Sequence, residues 1–291
     1  MFTVTLADPE AGILDDLVDL DRYPIDRTGS TAWNQQVAGI AAGLERDGAV
    51  QLPGFVRPTA IVSLQRELSL LRPYARVTTD RRSAYSRDTH LPASDPRAME
   101  STWTAGHITR DMIPPHSPAQ RLYVAPGFKH FIAGCLQRQR IFEYADPLAG
   151  LIATVLPPGG TYGWHYDTTE FVITLSVAVA DRGGDFEYVH NLRRRGNENL
   201  EGLRSVLEGD VAKVRSLTSR PGDLQLFLGR YSLHRVTEVT GDSDRLTLVL
   251  AYADRPGVIG PADRTRRVYG RVTEAHLVGP LHHTGEDGLI L

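Results

Sequence analysis

The chain is short of several things, and each shortage narrows what it can be. It has 291 residues and a single cysteine, Cys135. That excludes an internal disulfide and any multi-cysteine zinc or iron–sulfur site, so a metal would have to be held by histidine and carboxylate. Lysine is scarce: only Lys129 and Lys213 occur, and the remaining 30 basic residues are arginine. The formal net charge is −3, which argues against a broad nucleic-acid footprint. Long apolar runs are missing too. The longest, Phe171 to Ala180, spans ten residues, far short of a membrane span. The first 21 residues carry acids and no basic stretch, unlike a signal peptide. The expectation is a cytoplasmic protein with no nucleic-acid and no membrane partner, and with homodimerisation open.

What is present is ordinary for a globular protein: 41% hydrophobic and 23% charged residues. The 27 glycines and 18 prolines lean toward β structure with many turns. There is no internal repeat. The first third reads mainly helical. Val37, Ile40, Ala41 and Leu44 recur at helical spacing and Asp47-Gly48 ends that run. Pro58 opens a second helix with Ile61, Leu64, Leu68 and Leu71 on one face. Residues 74–112 lack periodicity and read as a long loop, of the kind that serves as an active-site lid. Pro126 to Arg138 reads as a further helix, with Cys135 as a small core residue.

From residue 150 the pattern changes to short strands separated by Gly/Pro turns, and Val236–Val239 with Leu246–Tyr252 reads as a hairpin. The fold class expected is mainly β with flanking helices: a double-stranded β-helix, that is, a cupin-like jelly-roll barrel. The chain divides into a helical part with a lid loop (1–149), a jelly-roll core (150–256) and a tail (257–291), all within one domain.

The sharpest feature is Trp164-His165-Tyr166-Asp167. On an extended segment, side chains at i and i+2 share a face, so His165 and Asp167 can meet one metal ion. Alone, the pair is as well explained by a salt-linked surface histidine. A second histidine, His234, follows Asp167 by 67 residues and opens a strand, and Arg245 stands 11 residues beyond it. Two histidines and one carboxylate form the facial triad of non-heme Fe(II) oxygenases, with open positions for a 2-oxo acid and O2. Arg245 then suits the far carboxylate of 2-oxoglutarate, since its planar fork is permanently charged and binds carboxylates bidentately. Thr247, at i+2, can add a hydroxyl. Taken alone, Arg245 reads equally as a surface arginine beside Asp242 and Asp244.

This order of residues resembles the Fe(II)/2-oxoglutarate-dependent dioxygenase superfamily. The stretches Gly183-Gly184-Asp185-Phe186-Glu187-Tyr188-Val189 and Leu226 to Val236 are similar to a subgroup that modifies free amino acids, including radical halogenases acting on lysine and related hydroxylases. The resemblance covers residues 151–256 well and the N-terminal third loosely. It implies Fe(II) on His165, Asp167 and His234, 2-oxoglutarate on Arg245 and Thr247, O2 as oxidant, and succinate and CO2 as co-products. The halogenases of the group carry Gly or Ala where Asp167 stands, leaving a place for chloride. The carboxylate here implies hydroxylation, or another oxidation such as desaturation, of a small amino-acid-like molecule. The positions that grip lysine in the halogenases are not evident, so lysine is not carried over. Substrate contacts are expected at Trp164, Thr168, Glu187 and Tyr188. A cosubstrate-free cupin-like metal enzyme and a non-catalytic barrel are the alternatives. The first has no need of Arg245, and the second tends to lose a ligand.

Arg193-Arg194-Arg195 reads as a solvated charge run, with a basic lid as the other reading. His107, His116 and His130 lack a carboxylate at ligand spacing and read as structural, and His282-His283 as exposed.

Overall fold

The computed structural model describes residues 14–85, 91–278 and 289. The chain runs α1 (Thr31–Asp47), β1 (Ala49–Leu52), α2 (Pro58–Leu71), β2 (Arg76–Ser83), β3 (Glu100–Ile108), α3 (Pro118–Val124), α4 (Pro126–Cys135), β4 (Phe142–Glu143), β5 (Leu151–Leu156), β6 (Tyr162–His165), β7 (Val172–Ala178), β8 (Phe186–Val189), α5 (Leu200–Leu207), β9 (Arg215–Leu217), β10 (Leu224–Phe227), β11 (Leu233–Val236), β12 (Arg245–Leu250), β13 (Tyr252–Ala253) and α6 (Ala262–Tyr269).

Local chemistry sets the first elements. Ser30 caps α1 by accepting from the Trp33 N–H at 3.2 Å. Gly48 ends it in the left-handed region at φ 72°, a conformation that costs glycine nothing. Trp33, Ile40 and Leu44 point from α1 into the core.

Two sheets organise the rest. A seven-stranded sheet has the order β1-β10-β7-β12-β5-β3-β2, and a four-stranded sheet the order β6-β11-β8-β9. From β5 to β12 the chain passes back and forth between them, as a double-stranded β-helix does. Period-2 alternation divides the large sheet cleanly. Leu151, Ala153 and Val155 of β5, Ile173, Leu175 and Val177 of β7, and Leu246, Leu248 and Leu250 of β12 join one apolar core with residues of α1 to α4. Their intervening neighbours, Thr154, Thr174, Ser176, Arg245 and Thr247 among them, line a cavity instead. Each core Leu or Ile buried here contributes about 1.5–3 kcal/mol, enough for the helix-covered face to define the register.

Three expectations are corrected. Residues 74–112 are not one long loop: β2 and β3 pair residue for residue from Arg76↔His107 to Ser83↔Glu100, and β3 continues onto β5, while residues 86–90 lie outside the described residues. One face of that hairpin meets water and the other a polar cavity, so the apolar alternation that marks a strand is missing. The expected hairpin between 236–239 and 246–252 does not form. β11 pairs with β6 and β8, and β12 with β5 and β7, because the leucines of β12 belong to the helix-covered core. The tail contains α6, which returns to the cavity. The α1, α2, α4 and core-strand expectations agree with the structure to within a few residues, and Cys135 is buried and free. Among the described residues no helix is long and apolar enough to cross a membrane.

Candidate metal centre and cavity

β6 and β11 are neighbours in the small sheet, and their register places His165 directly opposite His234. The two imidazoles are tilted 49° to one another with centroids 3.9 Å apart. Asp167 lies two residues past His165, fixed by its backbone N–H donating to the Gly229 carbonyl at 3.1 Å. One carboxylate oxygen sits 4.0 Å from His165 Nε2 and the other 3.5 Å from His234 Nε2. One ligand atom from each residue lies within 4.8 Å of the other two, so the expected triad is assembled.

Orientation is set one shell out. His165 Nδ1 lies 2.8 Å from the Gly163 carbonyl, and His234 Nδ1 3.0 Å from that of Ser232. A carbonyl only accepts, so each Nδ1 carries the proton and each Nε2 presents its lone pair to the centre. Trp103 braces the His165 ring at 4.8 Å, and Phe227 braces His234 at 4.7 Å. Burial pushes the pKa of His165 down to about 3 and that of His234 to about 4, keeping both neutral. Burial raises that of Asp167, against the pull of His165 and Arg264.

The donor set fits a divalent cation. Asp167 Oδ2 is buried without a hydrogen-bond partner, a costly arrangement that a metal relieves. The backbone of Gly229 makes room for it: a Cβ there would stand 1.7 Å from Asp167 Oδ2. Two imidazole nitrogens and one carboxylate suit iron and leave coordination positions open.

The cavity beside the triad has a volume of about 670 Å³. Its floor is the inner face of the large sheet. The register aligns Ser176, Thr247, Thr154 and His107 in one row across β7, β12, β5 and β3. Arg245 stands one step along β12 and donates to Thr247 Oγ1 at 2.7 Å. Burial lowers its pKa to about 10, opposed by Asp185, so the guanidinium stays charged at neutral pH. The sequence expectation for Arg245 and Thr247 thus meets a buried cation and a hydroxyl on one strand face, lining the same cavity as the triad.

The proposed substrate contacts divide. Thr168 lines the cavity, its hydroxyl accepting from Arg264 at 3.0 Å and its carbonyl from Arg230 at 3.1 Å. Trp164 and Glu187 do not reach it. As neighbours of His165 and Tyr188 they face the other side of the small sheet, where Arg235 sits 4.6 Å over the Trp164 ring and donates to Glu187 at 2.8 Å. Tyr188 is opposite His234, yet is buried behind Phe186 and Phe227 and not in the cavity wall. The arginine run is corrected in part. Arg193 is buried, donates to the Arg230 carbonyl and to Glu198, and lies 3.8 Å over Tyr166, whereas Arg194 and Arg195 are exposed. His130 packs against Trp33, His116 is exposed, and His282-His283 lie outside the described residues.

Sequence reasoning missed part of the wall. His107 lies in it, between the edges of Tyr162 and Tyr269, with both ring nitrogens buried and unpartnered. Arg264 and Tyr269 enter from α6. No local pattern signals these positions, because the chain places them by sheet register and by a C-terminal return.

Comparison with known proteins supplies the remaining context. The Halogenase D family matches residues 32–264. No significant match is found among curated proteins. Among solved structures, the chain is similar to the non-heme alpha-ketoglutarate-dependent epimerase SnoN from nogalamycin biosynthesis (13% identity, 76% of this chain and 83% of that one, TM-score 0.53). It is also similar to AviO1 from Streptomyces viridochromogenes Tue57 (17% identity, 75% and 95%, TM-score 0.51). A third is a prolyl hydroxylase from Trichoplax adhaerens in complex with a hypoxia-inducible-factor peptide fragment (13% identity, 79% and 96%, TM-score 0.50). These likenesses establish the jelly-roll fold of the Fe(II)/2-oxoglutarate-dependent oxygenases, and the match over most of its length makes the chain a member of the Halogenase D family.

Proposed function

We propose that the protein is an Fe(II)/2-oxoglutarate-dependent oxygenase that hydroxylates an unactivated C–H bond of a small amino-acid-like molecule. The observation that carries this reading is the convergence of His165, Asp167 and His234 beside a cavity whose floor holds the buried Arg245. His165 and His234 would hold the iron through Nε2, and Asp167 through its otherwise orphaned carboxylate. Bound iron, with O2 and 2-oxoglutarate, supplies the oxidising power: the cosubstrate leaves as succinate and CO2, and one oxygen atom enters the substrate C–H bond.

The protein's part is placement. Arg245 receives the far carboxylate of 2-oxoglutarate, and Thr247, already hydrogen-bonded to it, fixes the fork and offers its own hydroxyl. The barrel walls exclude water from these charges and strengthen their pairing. The Asp167 carboxylate occupies the place that a halide would need. Although the family is named for a halogenase, this feature favours oxygen insertion.

The test is succinate formation by the Fe(II)-loaded protein with 2-oxoglutarate and a panel of amino acids. The expected result is substrate-stimulated turnover that His234→Ala reduces at least a thousandfold, to background; turnover surviving that change would refute the metal assignment. A chlorinated product from the unaltered protein in chloride buffer would instead show that Asp167 does not block halide.

A further inference from the structure

Once the triad and Arg245 are accounted for, the cavity is unevenly supplied with charge. Among the described residues, every other carboxylate in its wall already has a partner. Asp80 pairs with Arg82, and Glu100 with Arg81. Asp146 is buried against His276 and accepts the backbone N–H groups of Leu148 and Ala149. Asp223 accepts from the N–H groups of Gly54 and Arg220. Among the described residues, no wall acid is without such a partner, so an ammonium group would have to share one.

The cations differ. Arg264 reaches in from α6 and, among the described residues, donates to one neutral acceptor, the Thr168 hydroxyl at 3.0 Å. A guanidinium has five N–H donors in a rigid fork, so most of the capacity of this exposed side chain is left to water or a ligand. It lies close enough to the centre to act electrostatically on Asp167, His165 and His107. His107 supplies the second observation. It is 8% exposed, lies in the cavity wall, and has a partner on neither ring nitrogen. A neutral imidazole carries one N–H, so it has a donor to offer a ligand and an acceptor beside it. Arg82, whose Nε is also buried without a partner, stands over Trp103 near the same ring.

We infer that this wall is an anion subsite: the substrate is a small molecule of net negative charge whose carboxylate is held by the Arg264 fork, with His107 donating to it or to an adjacent polar group. This rests on the oxygenase reading for the chemistry that follows, but not for the binding itself. A carboxylate at Arg264 would sit next to Thr168, one residue from the metal ligand Asp167, and so bring the neighbouring carbons to the metal's open side. With every described wall acid already partnered, a basic side chain such as that of lysine would have to compete with an arginine, a histidine or a backbone donor for its counter-charge.

The experiment compares binding of charge-varied ligands to the protein loaded with Mn(II) and 2-oxoglutarate under nitrogen, and to the metal-free protein. The ligands are glutamate, N-acetylleucine, leucine, ornithine and lysine, and binding is read by calorimetry and thermal shift. Glutamate and N-acetylleucine are expected to bind at least tenfold more tightly than ornithine and lysine. Arg264→Gln should erase that preference, while Arg264→Lys should retain part of it, with 2-oxoglutarate binding unchanged in both. A cationic ligand that binds as well as an anionic one, absence of binding by both anions, or a preference that survives Arg264→Gln would overturn the inference. Failure of the oxygenase reading looks different: Mn(II) and 2-oxoglutarate would not bind, while the order of the acids on the metal-free protein would still decide this proposal.

Discussion

A histidine ring sealed in a cavity wall without partners, as His107 is, has a thermodynamic signature that can be measured. Burial, with Arg82 and Arg264 nearby, pushes its pKa down to about 4. In the unfolded chain the ring titrates near the ordinary value of about 6.5. Between those values the unfolded state binds a proton that the folded state refuses. The stability tied to this ring is therefore complete above pH 6.5 and declines as the pH falls toward 4. At pH 5 the loss is about 2 kcal/mol. His107→Asn should narrow the difference in unfolding free energy between pH 7 and pH 5 by about that amount. An unchanged difference would mean that the folded ring takes up the proton. Side chains also show where sequence reading succeeds and fails. His165, Asp167, His234 and Arg245 are legible because each lies within two residues of a strand end, where a fixed spacing becomes a fixed geometry. His107 is not, because its role comes from the β3–β5 register, which no short motif encodes.

At the scale of elements, the parts that escaped the sequence are those that serve the cavity more than the core. β2 reads Arg-Val-Thr-Thr-Asp-Arg-Arg-Ser, an edge strand with an exposed or half-buried pattern throughout, so hydrophobic periodicity had nothing to register. α6 is eight residues long and buries only Thr265. What holds the segment around α6 is a buried polar clasp. Asp146 accepts from His276 Nε2 at 3.0 Å and from the Gly260 N–H at 3.2 Å, while His276 Nδ1 lies 2.8 Å from the Thr273 hydroxyl. Asp146 and His276 are both fully enclosed, and deleting one partner of such a pair costs about 3–5 kcal/mol because the other is left buried alone. Most of that loss should be felt locally, since the main apolar core contains no residue beyond Tyr252. Asp146→Ala should therefore let α6 unfold locally around its exposed Arg264, Arg266 and Arg267, giving a tryptic fragment cut in α6 at least ten times faster than in the unaltered protein. A digestion pattern that does not change would show that other contacts hold the segment.

Considered as a whole, the molecule keeps its stability and its proposed chemistry in different layers. The main core lies between α1 to α4 and the outer face of the large sheet. The proposed metal ligands sit on or next to the small sheet, and Arg245, the proposed cosubstrate arginine, on the inner face of the large one. The alternation of apolar residues disclosed the strands, but not which sheet each would join, since a strand buried on one side reads the same in either. That separation of layers leads to a prediction about ligands. A ligand that binds only the folded state at a hundred times its Kd adds about 2.7 kcal/mol, which for a chain of this size raises Tm by several degrees. Fe(II) or Mn(II) should supply one such increment and 2-oxoglutarate a second. A chelator should remove both, because the proposed cosubstrate site combines the metal with Arg245, yet leave a cooperative unfolding transition, because none of the proposed metal ligands belongs to the main core. Arg245→Ala should retain the metal increment and lose most of that from 2-oxoglutarate, since the buried fork that meets the far carboxylate is gone. Differential scanning calorimetry on the two proteins, with each ligand added in turn, separates these contributions. A chelated protein with no transition, or a 2-oxoglutarate increment undiminished by Arg245→Ala, would show that the layers are not independent or that the cosubstrate binds elsewhere.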